Sequence, residues 1–295
     1  MRIRIALIFA LLIGFLILAS NSFETRMILC PPGYKSQIDV IYTKVNGWNG
    51  RMDLYTNQTS TNPTPIVIII HGGGWNEGTK ESQRGFGAFF TDGFAVANVE
   101  YRLADVAKAP AAIEDIRSAL EYIIRHASEL NIDTKRIVLY GSSAGAHLAL
   151  MGGLLENDRK FDTNCIGKEN MKVAAIISNY APSDFTDKSI SKFPTIKTLW
   201  NWVGEKANDE SFMAAISPAS YINKTSPPIF IVHGDTDPIV PYSQSLKLHQ
   251  KLNKANVYNI FITVKGGNHG DFDKKRFSEI MMEEHKFLIN AGILK

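Results

Sequence analysis

Residues 136–155 read RIVLYGSSAGAHLALMGGLL. Arg136 to Tyr140 is a short apolar run with the character of a buried strand, and the residues after Gly145 have the character of a helix up to about Leu155. Between them lies Gly141-Ser142-Ser143-Ala144-Gly145. A serine hydroxyl is a weak nucleophile at neutral pH and needs exposure, a neighbouring base and donors for the oxyanion it creates. A tight turn from strand to helix supplies the exposure, and a helix N-terminus offers backbone N–H groups to negative charge. As a bare pattern the five residues are unspecific. Their place between strand and helix makes Ser143 the candidate nucleophile. Ser142 is the rival, but only Ser143 has glycines two residues before and two after.

Three further segments follow strand-like runs. Residues 65–70 are a continuous β-branched stretch, which reads as a strand buried on both faces. It runs into His71-Gly72-Gly73-Gly74-Trp75, where backbone N–H groups can approach a developing oxyanion. One such donor is worth about 3 kcal/mol in a transition state. His71 reads as an orienting or packed residue rather than a base. Residues 228–232 lead into His233-Gly234-Asp235-Thr236-Asp237-Pro238. Residues 258–264 lead into Gly266-Gly267-Asn268-His269-Gly270. A histidine on a glycine-rich loop can reach over a sheet to a serine, with a carboxylate holding its tautomer. The chain order is then Ser143, Asp237, His269. Asp235 stands close to the strand end and reads as a turn residue bonded to local backbone.

Strands at 94–99 and 173–178 and helices at 110–130, 243–252 and 276–291 complete the alternation. Residues 38–45 and 52–55 alternate apolar and polar around Asn46-Gly47 and Asn49-Gly50, which predicts an antiparallel hairpin. The expected architecture is therefore α/β: a mostly parallel sheet covered by helices on both faces, with the hairpin as its antiparallel edge. In such sheets ligands bind outside the carboxyl ends of the strands. The four loaded segments fall at four such ends. Residues 184–215 read as irregular and aromatic-rich, an insertion serving as a partial cap. Trp75, Trp200, Trp202 and Phe193 are expected to line the substrate pocket.

Together these residues resemble the α/β-hydrolase superfamily, and within it the carboxylesterases similar to hormone-sensitive lipase and the BD-FAE esterases. The resemblance rests on Met52-Asp53-Leu54-Tyr55, the His71 to Trp75 and Gly141 to His147 segments, Tyr101-Arg102-Leu103, Ser217-Pro218, the segment from His233 to Pro241, and His269-Gly270. It implies a serine carboxylesterase with Ser143, Asp237 and His269 as the triad. It also implies Gly73, Gly74 and Ala144 as oxyanion donors, and neither cofactor nor metal. Ala146 departs from the glycine that many relatives carry. The resemblance does not choose the substrate; the limited cover at residues 184–215 leads to the expectation of a small-molecule or carbohydrate ester with a short acyl group, acetyl to butyryl. A peptidase or amidase of the arylformamidase kind on the same fold is the enzymatic rival. A silent binding protein is the rival of another class.

The chain has 295 residues, 45% hydrophobic and 21% charged, with a net charge of +3. Such values fit a globular chain and exclude a disordered one or a many-span membrane protein. Near-balanced charge gives no footprint for nucleic acid. Arg2 and Arg4 precede an uncharged run at residues 5–19, followed by small and polar residues. Residues 1–22 therefore read as a signal peptide or an uncleaved membrane tether, with the catalytic domain at 23–295. The expected location is exported or membrane-anchored. The two cysteines, Cys30 and Cys165, permit one disulfide in an exported chain; pairing is the expectation put to test, and two buried free thiols are the alternative.

Overall fold

Asn46 and Gly47 both take positive φ, 49° and 83°, as the tight turn of a twisted hairpin requires. They join β1 (Tyr34–Val45) to β2 (Trp48–Asn57), with Val45 opposite Trp48. The computed structural model describes residues 30–82 and 86–295, and the fold is that of residues 32–295. Six further strands follow: β3 (Thr64–Ile70), β4 (Ala95–Val99), β5 (Ile132–Ser142), β6 (Ala175–Asn179), β7 (Ile229–Gly234) and β8 (Asn259–Val264). The sheet order is β1-β2-β4-β3-β5-β6-β7-β8. β2 meets β4 antiparallel, and from β4 to β8 every pairing is parallel. All seven residues of β3 are buried, which is what its unbroken apolar run demands at the centre of a sheet covered on both sides. Because β3, β5, β7 and β8 run the same way, the loops after them open at one edge.

Seven helices accompany the sheet among the described residues: α1 (Gly87–Thr91), α2 (Ala111–Arg125), α3 (Ala144–Leu154), α4 (Thr195–Val203), α5 (Glu210–Ala215), α6 (Tyr242–Lys254) and α7 (Lys274–Asn290). Every residue of α3 is buried, so its sequence carries no amphipathic stripe. α2 stops at Arg125, short of the expected residue 130. The chain turns there through Asn131, whose φ is +53°.

Residues 184–215 are not irregular. They hold α4, α5 and short 3₁₀ turns, with Asp209 capping α5 through the Phe212 N–H. Helices of nine and six residues are too short for an apolar period to stand out in the sequence. The disulfide is likewise corrected. No disulfide exists among the described residues; Cys165 packs half-buried against the core, where burial, then Asp162 and Glu121, push its thiol up to about 12. Among the described residues no helix is long and apolar enough to cross a membrane. The proposed signal segment, residues 1–22, lies outside them.

On α7, Glu284 is 3% exposed. Burial, and behind it the Asp92 carboxylate, push it up to about 8 from 4.5. The folded chain thus keeps a proton that the unfolded chain releases, so stability falls as pH rises between those two values. Glu284→Gln is expected to raise the melting temperature at pH 8 by more than at pH 5, as read by calorimetry. Equal shifts at the two pH values would mean that Glu284 is ionised in the fold.

Candidate active site

The turn after β5 is held open by what cannot fit. A Cβ at Gly141 would collide with the Gly145 carbonyl, and one at Gly145 with the carbonyls of Ile70 and His71. Glycine at both positions lets α3 start hard against the strand ends. Ser143 sits between them as the residue before α3, at φ 56° and ψ −122°. A non-glycine residue held there is strained. The strain is over-determined by the Ser143 N–H bonded to Asn179 O at 2.9 Å and by Ser143 O accepting from the His147 N–H at 3.0 Å. Ser142 remains on the β5 ladder opposite Asn179.

His269 follows β8 and points its Nε2 at Ser143 Oγ, 2.8 Å away; its Nδ1 lies 2.7 Å from Asp237 Oδ2. With a carboxylate on Nδ1, the neutral ring protonates there and leaves Nε2 to accept from the serine. Asp237 is buried, and its Oδ1 accepts the N–H groups of Ile239 and Val240 at 2.7 and 3.0 Å. Burial pushes this carboxyl up, but hydrogen bonds from His233 and His269 outweigh it and hold the group well below the usual carboxylate range. Asp235 does something else. Its Oδ1 accepts the Gly266 N–H at 2.7 Å, so it ties the β7 loop to the β8 loop rather than to local backbone.

Gly73, Gly74 and Trp75 take three successive positive φ values, 112°, 58° and 62°. Gly73 turns its carbonyl back onto the N–H groups of Asn76 and Glu77. Among the described residues no backbone carbonyl accepts from Gly73, Gly74 or Ala144 N–H. Ala144 is the first residue of α3, whose N–H has no partner within the helix. Gly73, Gly74, Ser143 and His269 border one cavity of about 400 Å³. Gly72, Ser142, Tyr180, Ile239 and Glu77 complete it with Pro194, Thr195 and Thr198 from the 184–215 segment. Glu77 is the one charged residue among these lining residues, and no lysine or arginine is present.

The expected aromatic lining is corrected. Trp75 and Trp202 are 1% and 0% exposed and stack on each other, ring centroids 4.7 Å apart, inside the fold. Trp200, half-exposed, borders a separate cavity with Ile196 and Met213. Phe193 lines neither. The apolar side of α4 buries Leu199, Trp202 and Val203, and so the tryptophan at position 202 points into the protein.

Two histidines escaped the sequence reading as contributors. His147 lies one turn into α3 from Ser143. Its Nδ1 accepts the Trp75 indole N–H at 3.2 Å, and its Nε2 donates to Ile216 O at 2.8 Å. One side chain thereby ties the nucleophile turn, the glycine loop and the end of the 184–215 segment. Burial pushes His147 down to about 4, so the ring stays neutral. His233 touches Asp237 and is treated below. The i, i+4 spacing from Ser143 was the available signal for His147. His71 is packed as expected: it stacks on Tyr101 and bonds Gly72 O, and burial pushes it down to about 4.

The BD-FAE family model matches residues 52–252 of this chain. The chain belongs to the BD-FAE family. Among curated proteins, it is 25% identical to Esterase LipC of Mycobacterium tuberculosis over 218 residues, 71% of this chain and 54% of that protein. It is 30% identical to the probable carboxylic ester hydrolase LipM of the same organism over 191 residues, 63% of this chain and 44% of LipM. The chain thus spans about half the length of the curated relatives it matches. Among solved structures, a truncated carbohydrate esterase from gut microbiota aligns at TM-score 0.71 and 26% identity, covering 86% of this chain and 96% of that one. Esterase 2 of Thermogutta terrifontis aligns at TM-score 0.75 and 22% identity over 91% of this chain and 99% of its own, and shares the fold. His269 lies beyond the residues that the BD-FAE model covers, so its place rests on geometry.

Proposed function

We propose that this BD-FAE chain is a serine carboxylic ester hydrolase in which Ser143, His269 and Asp237 act as a triad. The observation that carries the reading is the unbroken relay from Asp237 through His269 to Ser143 Oγ, each step 2.7–2.8 Å, beside N–H groups that no backbone carbonyl among the described residues accepts. Ser143 Oγ attacks the ester carbonyl as its proton passes to His269 Nε2. The tetrahedral oxygen takes hydrogen bonds from Gly73, Gly74 and Ala144 N–H. His269 returns the proton to the departing alcohol, and the acyl group stays on Ser143. Water then attacks the acyl carbon as its proton passes to His269 Nε2; the bond to Ser143 Oγ breaks, Oγ takes that proton back, and the acid leaves. Relatives named as esterases support the reaction class. The test is active-site labelling: a fluorophosphonate should add once, at Ser143, and the labelled chain should lose ester hydrolysis. Labelling elsewhere, or amide turnover exceeding ester turnover, would overturn it.

The substrate we infer carries a short acyl group, acetyl to butyryl, on a neutral polyol such as a sugar. The cavity is small, and its wall mixes Ile239 with Tyr180, Thr195, Thr198 and Glu77. Hydroxyl donors suit those acceptors, whereas an anionic alcohol would face Glu77 with no cation on the lining. The similarity to a carbohydrate esterase points the same way. Each methylene buried is worth about 0.8 kcal/mol, so a cavity that ends early stops rewarding chain length early. Across p-nitrophenyl esters, kcat/KM is expected to peak at about two to four acyl carbons. A maximum at about ten or more would overturn the short-acyl inference. The 184–215 segment is the partial cap in this reading, since Pro194, Thr195 and Thr198 border the cavity. Residues 1–22 direct export, which N-terminal sequencing of the protein recovered from culture fractions tests.

A further inference from the structure

We propose that His233 is a positioning residue for the Ser143 relay: it donates a second side-chain hydrogen bond to the Asp237 oxygen that orients His269, fixing where that carboxylate points and how strongly it pulls on His269. The inference rests on the triad reading given above.

Asp237 Oδ2 lies 2.7 Å from His269 Nδ1 and 3.1 Å from His233 Nε2. Its Oδ1 takes the two backbone N–H groups already described. The carboxylate therefore meets four donors, two per oxygen, which fills its accepting directions. The protonation of His233 follows from its neighbours. Nε2 faces only acceptors, the Asp237 carboxylate and the Val240 carbonyl at 3.2 Å, so Nε2 carries the hydrogen. Nδ1 is 2.7 Å from Ser245 Oγ, a hydroxyl on α6 that can donate to it. His233 is fully buried at the end of β7 and Ser245 is fully buried on α6, so water cannot take over either contact. The rest of the surroundings is quiet. Tyr242 packs edge-on to His233, and Tyr180 edge-on to His269 with a phenol that burial pushes up. Among the described residues no lysine or arginine pairs with Asp237.

Without the His233 donor, Oδ2 would bond His269 alone. The carboxylate would then be freer to turn, and it would stabilise protonated His269 more strongly. The first effect lowers kcat; the second moves the acid limb of the rate profile to higher pH.

The test uses the full-length chain with His233→Leu, His233→Gln and Ser245→Ala, each checked for folding by near-UV circular dichroism. kcat and kcat/KM for a short-chain ester are followed across pH. His233→Leu is expected to lose about tenfold to a hundredfold in kcat, the size of a lost hydrogen bond to a charged group, with its acid limb moved up. His233→Gln keeps an amide N–H near the Nε2 position and should recover most of both. Ser245→Ala, which removes the hydroxyl on Nδ1, should fall between. A folded His233→Leu with wild-type kcat and acid limb would overturn the inference, and so would a His233→Gln no better than His233→Leu. Should His233→Leu not fold, a Ser245→Ala enzyme with unchanged kcat and acid limb would do the same. Fluorophosphonate labelling separates the two levels. An unlabelled Ser143 in the wild-type chain refutes the triad itself, whereas a labelled one with indifferent His233 variants refutes only the positioning role.

Discussion

Ser143→Ala is expected to lower kcat by a factor on the order of 10⁶ and to leave the fold intact. The loss is large because the proposed relay has no substitute for Ser143 Oγ. Ser142, one residue earlier, stands on the β5 ladder opposite Asn179 and is not the hydroxyl that His269 Nε2 meets. Alanine keeps a Cβ at φ 56°, so it inherits the backbone strain and should not stabilise the chain. Ser143→Gly removes both hydroxyl and Cβ. It should be equally inactive, but more stable by about 1 kcal/mol or more, as strain relief at a left-handed residue allows. The pair of variants separates chemistry from strain. Ester hydrolysis and fluorophosphonate labelling, with melting temperature alongside, are the measurements. A Ser143→Ala chain that still labels at Ser142 and turns over ester would place the nucleophile one residue back.

Ser143 is legible in the sequence because its requirements are local. Two glycines at fixed offsets, a strand before and a helix after are all within ten residues. The sheet is legible for the same reason: β3 is an unbroken apolar run that only a doubly covered strand explains, and Asn46-Gly47 announces its hairpin. The direction in which an aromatic side chain points is a different kind of information. Trp75 and Trp202 stand in a glycine loop and in a short helix, and each alone looks like a rim residue. They are buried because they stack on each other across more than a hundred residues of sequence, with His147 and Phe185 packed around them. His147 and His233 were passed over for a like reason. For His147 the deciding partner, Ile216 O, lies 69 residues away. His233 has Asp237 only four residues on, but it takes the turn after β7 to fold one onto the other, and Ser245 on α6 to set the ring's tautomer.

The choice between two aspartates two residues apart tests how far local reading reaches. Asp237→Asn is expected to cost up to about 10⁴ in kcat, and Asp235→Asn at most a few-fold. The asymmetry follows from what each carboxylate faces. Asp237 Oδ1 accepts two backbone N–H groups, so an asparagine there must keep its carbonyl oxygen toward Ile239 and Val240. Its NH₂ then replaces Oδ2, a donor where His269 Nδ1–H and His233 Nε2–H both need an acceptor. His269 can answer only by moving its proton to Nε2, and in that tautomer it can no longer take the proton of Ser143. Asp235 has a single backbone partner, Gly266 N–H, and sits at an exposed position. An asparagine there keeps an oxygen for that bond and loses nothing that touches His269. Stability should divide the same way with pH. Asp237 is held ionised well below the usual carboxylate range, so its contribution is complete above the unfolded value near 3.8 and fades as pH falls below it. Asp237→Asn should therefore destabilise most at neutral pH and progressively less toward acid. The decisive measurement is kcat for both variants at one neutral pH, with folding checked by melting. If Asp235→Asn proves the more damaging in a folded enzyme, the acid has been misassigned and His269 is oriented by another group.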